Sequence, residues 1–100
     1  MDLEIACTMR SRLRGMFGRA GFAGMLLLVP CHDVHTFGMR RPLDIAFVAA
    51  DGTIVESHRD VGPGNRLKNK KASATIERFA ASDPWFSPGD RIQDELGRGR

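Results

Sequence analysis

The chain has 100 residues, of which 42% are hydrophobic and 27% are charged. This length leaves room for one compact domain, and the composition excludes a largely disordered chain. The formal charge of +3 attracts anions only weakly, so composition alone gives little reason to expect nucleic acid as a partner. We expect one globular domain over residues 1–92, as a monomer or homodimer, followed by a polar, disordered tail over residues 93–100.

The chain shows no sign of a membrane segment or a secretory leader. Its apolar runs, such as residues 25–29, are far shorter than the roughly 18 residues that span a bilayer. Residues 1–4 are acidic in part, whereas a signal peptide begins with basic residues. We therefore expect a cytoplasmic protein without a membrane span, in which Cys7 and Cys31 are free thiols.

The first predicted element is an amphipathic helix over residues 8–19. Its apolar residues recur at the spacing of one helical face, and its arginines lie mostly off that face. The apolar residues are Met9, Leu13, Met16 and Phe17. A solvated cationic surface over a packed stripe is the expected arrangement, with membrane or RNA contact as the alternative.

Strands are predicted next. Residues 25–29 form a short apolar run between Gly24 and Pro30, which predicts a buried strand. Residues 44–50 and 53–58 predict a hairpin, because the Asp51-Gly52 pair between them favours a two-residue type I′ turn. In that hairpin Asp44 would lie opposite Arg59.

The remaining residues predict an exposed loop, a strand and a turn. Residues 60–71 are rich in turn formers and lysine, which predicts the loop. Alternation over residues 72–77 predicts a strand, and residues 83–86 predict a turn that lays Trp85 and Phe86 on the core. Residues 89–92 would begin a last short strand. The predicted fold class is α+β, mainly antiparallel, with a half-open barrel or sandwich and an N-terminal amphipathic helix.

Four motifs resemble those of a known family. They are Gly-Met-Leu-Leu-Leu-Val-Pro at residues 24–30, His-Thr-Phe-Gly-Met at residues 35–39, Pro-Leu-Asp at residues 42–44 and Gly-Asp-Arg at residues 89–91. Together they resemble domain of unknown function 192, a bacterial and archaeal family without an established activity. The resemblance covers residues 8–92 and implies an uncharacterised domain.

A polar pocket is the leading hypothesis for the site. His35, Phe37 and Met39 alternate along an extended segment, so Phe37 could anchor in the core while imidazole and thioether approach Asp44. Such a mixed lining suits a ligand better than a core. The predicted ligand-binding residues are His35, Thr36, Met39, Arg40 and Asp44.

Two further hypotheses remain open from sequence. Cys31, His32 and His35 carry ligands that zinc accepts, although their spacing matches no known metal motif, and an enzyme could use Cys31, His35 and Asp44. An RNA contact could instead use the basic residues of segments 10–19 and 68–71. We expect a non-catalytic binding or accessory domain with a small ligand or protein partner, and the residues identify neither a cofactor nor a reaction.

Overall fold

The computed structural model describes residues 3–6, 16 and 24–92. Their secondary-structure elements are all strands. In chain order these are β1 (Leu3–Ala6), β2 (Met25–Leu28), β3 (Asp33–His35), β4 (Leu43–Val48), β5 (Ile54–Val61), β6 (Arg66–Lys68) and β7 (Ala74–Phe79).

The strands form two sheets. Five of them make the main sheet in the order β1-β2-β7-β4-β5, and β3 pairs with β6 in a small sheet. β1 runs parallel to β2, and the other pairs are antiparallel.

The predicted fold class is wrong for the described part of the chain. The main sheet is open, since β1 and β5 lie at opposite edges and do not pair, so the described strands form a mixed sheet and a small second sheet and no closed barrel. The described elements are strands without helices between them, which makes this part β rather than α+β. The helix predicted over residues 8–19 lies outside the described residues except for Met16.

Both faces of the main sheet are buried. On the first face, side chains of β2, β4 and β7 pack with the small sheet and with Met16. On the second face, alternate side chains of the same strands pack with the C-terminal segment that contains Trp85, Phe86 and Ile92. The strand pleat explains this division, because successive residues point to opposite faces.

The β4–β5 hairpin is confirmed, with one difference at its turn. Gly52 has a φ of 90° as predicted, and Phe47 pairs with Glu56. The loop is longer than two residues, because the Gly52 N–H donates to the Ala49 carbonyl and the Ala49 N–H donates to the Thr53 carbonyl. A turn closed by a glycine with positive φ is the common three-residue hairpin.

The prediction of a loop over residues 60–71 is wrong for residues 60–61 and 66–68, which are strand, and is confirmed for the residues between and after them. β5 continues to Val61, and β6 pairs with β3 so that Leu67 lies opposite Val34. Leu67 is the only strongly apolar residue of β6, so the strand has too little periodicity to be recognised locally.

Within the described ranges, no helix is both long and apolar enough to cross a membrane. The cytoplasmic location stays a prediction.

Candidate functional site

A buried carboxylate marks the candidate site. Asp44 lies in β4 between Leu43 and Ile45, which belong to the first face. The pleat therefore directs Asp44 to the second face, although its side chain is only 1% exposed. A buried carboxylate must be paired and hydrogen-bonded.

Arg78 supplies the charge partner. It stands directly across from Asp44 in the register between β4 and β7, and its Nε donates to Asp44 Oδ2 at 2.8 Å. The Arg78 side chain is 4% exposed. Its guanidinium lies 4.6 Å from the centre of the Trp85 ring, and its Nη2 donates to the Asp83 carbonyl at 2.8 Å. Arg78 thus ties the C-terminal segment to the sheet.

Two backbone N–H groups complete the environment of Asp44. The Asp60 N–H donates to Oδ1 at 2.9 Å, and the Ala81 N–H donates to Oδ2 at 3.4 Å. Asp60 has a φ of 57°, in the left-handed region that non-glycine residues rarely adopt. The strand ladder is also irregular here, between Leu43 and Ile45. The irregularity places the Asp60 N–H against the carboxylate instead of in the ladder.

Arg59 forms the rim. Its Nη2 lies 4.0 Å from Asp44 Oδ2, which agrees with the predicted proximity of these two residues, and the side chain is 47% exposed. The same nitrogen donates to the carbonyls of Ala81 at 2.7 Å and Asp83 at 2.6 Å. Within the described chain, no bond is formed by the other guanidinium nitrogens of Arg59.

These groups surround an open cavity of about 430 Å³, a volume typical of small-molecule sites. Its lining consists of Asp44, Arg59, Asp60, Ala80, Ala81 and Ser82. We call it the Asp44 pocket. In the described structure the Asp60 carboxylate and the Ser82 hydroxyl make no hydrogen bond, so the pocket presents donors and acceptors to solvent beside the two alanine side chains.

The other predicted ligand-binding residues lie elsewhere. Thr36 is buried beside the small sheet, where its Oγ1 donates to the Gly62 carbonyl at 2.8 Å. Met39 packs against the first-face cluster, whereas His35 and Arg40 are exposed. The Asp44 side chain lies on the second face of the main sheet, so it does not form one site with these four residues. Their role in ligand binding stays a prediction.

The residues of the metal and enzyme hypotheses do not converge in the described structure. Cys31 is half-buried, and its Sγ donates to the Asp33 carbonyl at 3.5 Å. His32 and His35 are exposed, and Asp44 faces away from them. Across residues 3–6, 16 and 24–92, no three His, Cys, Asp or Glu side chains form a group able to hold a metal ion.

Sequence reasoning found Asp44 and Arg59 but missed Arg78, Asp60 and Ser82. The hairpin ladder identifies Arg59 because the turn between the two strands is local. Arg78 is 34 residues from Asp44, and nothing in the local pattern fixes the β4–β7 register. A basic residue directly after an apolar strand pattern is the one available signal, and it is weak.

Comparison with known proteins decides the family. The model of the family described as uncharacterized ACR, DUF192, matches residues 1–92. The chain belongs to DUF192. The predicted resemblance is therefore confirmed, and the Asp44 pocket is a feature of a DUF192 domain.

Two crystal structures share the fold of this DUF192 chain. A protein of unknown function from Novosphingobium aromaticivorans DSM 12444 has a TM-score of 0.69 at 18% identity, over 96% of this chain and 68% of that one. A protein from Sinorhizobium meliloti 1021, described provisionally as a transcription regulator, has a TM-score of 0.74 at 24% identity, over 89% and 78%. At such identities the likeness shows the fold alone. No curated protein matches the chain.

Proposed function

We propose that this domain is a small-ligand-binding module that uses the Asp44 pocket. The observation that carries the proposal is one open cavity with the buried Asp44 carboxylate at its floor and the Arg59 guanidinium at its mouth. The function is binding rather than catalysis, since no nucleophile or general base with an activating partner lines the pocket in the described structure.

The chemistry of the lining defines the ligand class. The free nitrogens of Arg59 donate hydrogen bonds, the Asp60 carboxylate accepts them, and the Ser82 hydroxyl does both. A small polar molecule that carries neighbouring donors and acceptors matches this set. An apolar ligand does not, because it would bury these groups without partners.

A structural role for the ion pair is the competing explanation. Asp44 and Arg78 hold the C-terminal segment on the second face, and such pinning needs no ligand. However, a buried ion pair is often no more stabilising than an apolar pair of the same volume. Of the exposed side chains at the rim, which are Arg59, Asp60 and Ser82, only Arg59 helps to hold the C-terminal segment, through its hydrogen bonds to the Ala81 and Asp83 carbonyls.

Binding is tested by calorimetric titration of the whole chain with a panel of hydroxylated, carboxylated and phosphorylated small molecules. We expect at least one to bind, with the affinity lowered tenfold or more in Arg59→Ala and Asp60→Asn, since each removes about 1.5–3 kcal/mol of charge-assisted hydrogen bonding. Arg91→Ala is the matched control, because the exposures of the two arginines are similar, 47% for Arg59 and 44% for Arg91.

His35→Ala separates the pocket from the site predicted by sequence. If the ligand occupies the Asp44 pocket, this variant binds as the parent does. Loss of binding in His35→Ala with Arg59→Ala unaffected would place the ligand at the residues around His35 and refute the proposal.

A further inference from the structure

The outward side of the small sheet presents a second surface, which is independent of the Asp44 pocket. Val34 lies opposite Leu67, and both pack against the first-face cluster. Their neighbours therefore point to solvent in two cross-strand pairs, Asp33 with Lys68 and His35 with Arg66. We call this outward side, with the Phe37 ring that follows it, the basic aromatic face.

Two stacked rings lie on this face. The His35 and Phe37 rings have centroids 5.1 Å apart and an interplanar angle of 24°. Phe37 is 52% exposed, and the described chain has only one other large exposed hydrophobic residue, Ile5. An aromatic ring held on an exposed loop by a second ring is a platform on which another flat ring can stack.

Positive charge is concentrated in the two segments that contain the paired strands β3 and β6. Residues 31–41 and 62–72 contain six Lys and Arg but a single carboxylate, Asp33. The whole chain carries only +3, so the remaining residues are net negative. The pairing of β3 with β6 brings these two segments, which are distant in the sequence, side by side.

The individual cations differ in availability. Arg66 is engaged by Asp33, to which its Nη2 donates at 2.6 Å and its Nε at 3.0 Å. This pair holds the pKa of Asp33 below its ordinary value. Arg41 lies over the Phe79 ring. The other exposed cations of these two segments are Arg40, which follows Phe37 in the chain, and Lys68, Lys70 and Lys71, which lie at or beyond the Asp33–Lys68 end of the small sheet.

We propose that the basic aromatic face binds single-stranded nucleic acid. Unpaired bases would stack on Phe37 and His35, while phosphates would contact the lysines around Lys68. A duplex has no free base face to offer the rings. An acidic protein would satisfy the charges but would leave the stacked rings unused.

The test is fluorescence anisotropy with labelled oligouridylate and oligothymidylate of one length, and with a duplex of the same length. We expect the single strands to bind more tightly than the duplex. The logarithm of the affinity should fall linearly with the logarithm of the salt concentration, with a slope of about −0.7 for each phosphate contacted. Binding of either polymer supports the proposal, and their ratio shows whether the 2′-hydroxyl contributes.

Substitutions localise the interaction. Phe37→Ala should weaken binding by roughly 5- to 150-fold, because one stacking contact is lost. Ile5→Ala is the matched control, since Ile5 is an exposed apolar residue on β1 and is 61% exposed. Lys68→Ala combined with Lys70→Ala and Lys71→Ala should flatten the salt dependence, whereas Arg91→Ala should not.

Three results would overturn the proposal. The first is that neither single strand binds at about 50 mM salt. The second is that duplex and single strand bind with equal affinity, and the third is that Phe37→Ala binds with the affinity of the parent. Circular dichroism of each variant shows whether its fold is retained, and the exposure of Phe37 means that truncation opens no core cavity. Arg59→Ala, which tests the Asp44 pocket, should leave oligonucleotide binding unchanged.

Discussion

Asp44 and Glu77 are both buried carboxylates, but their surroundings differ. Asp44 is paired with Arg78 and receives two backbone N–H groups. Glu77 lies in the first-face core between Leu26 and Ile45, and within the described structure its Oε1 has no hydrogen-bond partner. The first carboxylate is stabilised by its surroundings, whereas burial raises the pKa of Glu77 to about 7 despite a bond from the Met16 N–H.

Asp44→Ala should destabilise the domain strongly. The change leaves the Arg78 charge buried without its partner, which costs about 3–5 kcal/mol. Urea denaturation measures the loss. Asp33→Ala is the matched control, because its ion pair with Arg66 is exposed and contributes about 1 kcal/mol or less. The double variant that combines Asp44→Ala with Arg78→Met should recover part of the stability, because it also removes the unpaired charge. Equal unfolding midpoints for Asp44→Ala and Asp33→Ala would contradict this account.

Glu77 should make stability fall as pH rises. Because its folded pKa of about 7 lies above the ordinary value of 4.5, the folded state retains a proton that the unfolded state has lost between these values. The stabilisation is complete below about pH 4.5 and disappears as the pH rises through 7, a change of roughly 3 kcal/mol.

Glu77→Gln removes that titration and keeps the side-chain shape. The difference in unfolding free energy between parent and variant, measured in urea from pH 5 to 8, should therefore change in favour of the variant as the pH rises. All other ionisable groups are the same in both proteins, so their contributions cancel in the difference. Parallel stability profiles would show that Glu77 is ionised throughout.

At the scale of elements, local patterns predicted β2, β4, β5 and β7 but, outside the β4–β5 hairpin, not which of these strands pair. The β4–β5 hairpin follows from Asp51-Gly52, since both of its strands adjoin the turn. In β7 the apolar residues Ala74 and Ile76 alternate with the polar residues Thr75 and Glu77, yet both polar residues are buried. β7 lies between β2 and β4, so both of its faces are covered, and alternation of polarity cannot reveal that.

Phe47→Ala should show that β4 is central. Phe47 is fully buried on the first face, and its truncation should cost about 3–5 kcal/mol, a large share of the stability of so small a domain. Thermal melts measure the effect. Phe37→Ala is the control, since an exposed ring should cost no more than about 0.5 kcal/mol. Superimposable melts of Phe47→Ala and the parent would mean that this part of the core is wrongly placed.

At the scale of the whole molecule, strand order determines which surfaces exist. Chain topology brings β7 beside β4 and so sets Arg78 against Asp44, which no local spacing predicts. The same topology sets β6 beside β3 and joins two basic segments into one face. The family and the hairpin could therefore be recognised from sequence, whereas the open sheet and both candidate surfaces depend on long-range pairing.

The two surfaces lie on opposite sides of the main sheet. The Asp44 pocket opens on the second face, beside the C-terminal segment, and the basic aromatic face covers the first. Ligands at the two sites would not compete for the same residues. A single domain of this size can therefore carry both, and each can be removed without the other.

Mapping of amide chemical shifts on the isotope-labelled chain, during titration with a molecule that binds, tests the central claim most directly. If that molecule occupies the Asp44 pocket, the amides of Asp60, Ala81 and Ser82 should shift in a saturable, concentration-dependent way, while those of His35 and Arg40 stay in place. Shifts confined to His35 and Arg40, with the three pocket amides unchanged, would contradict the assignment of the site.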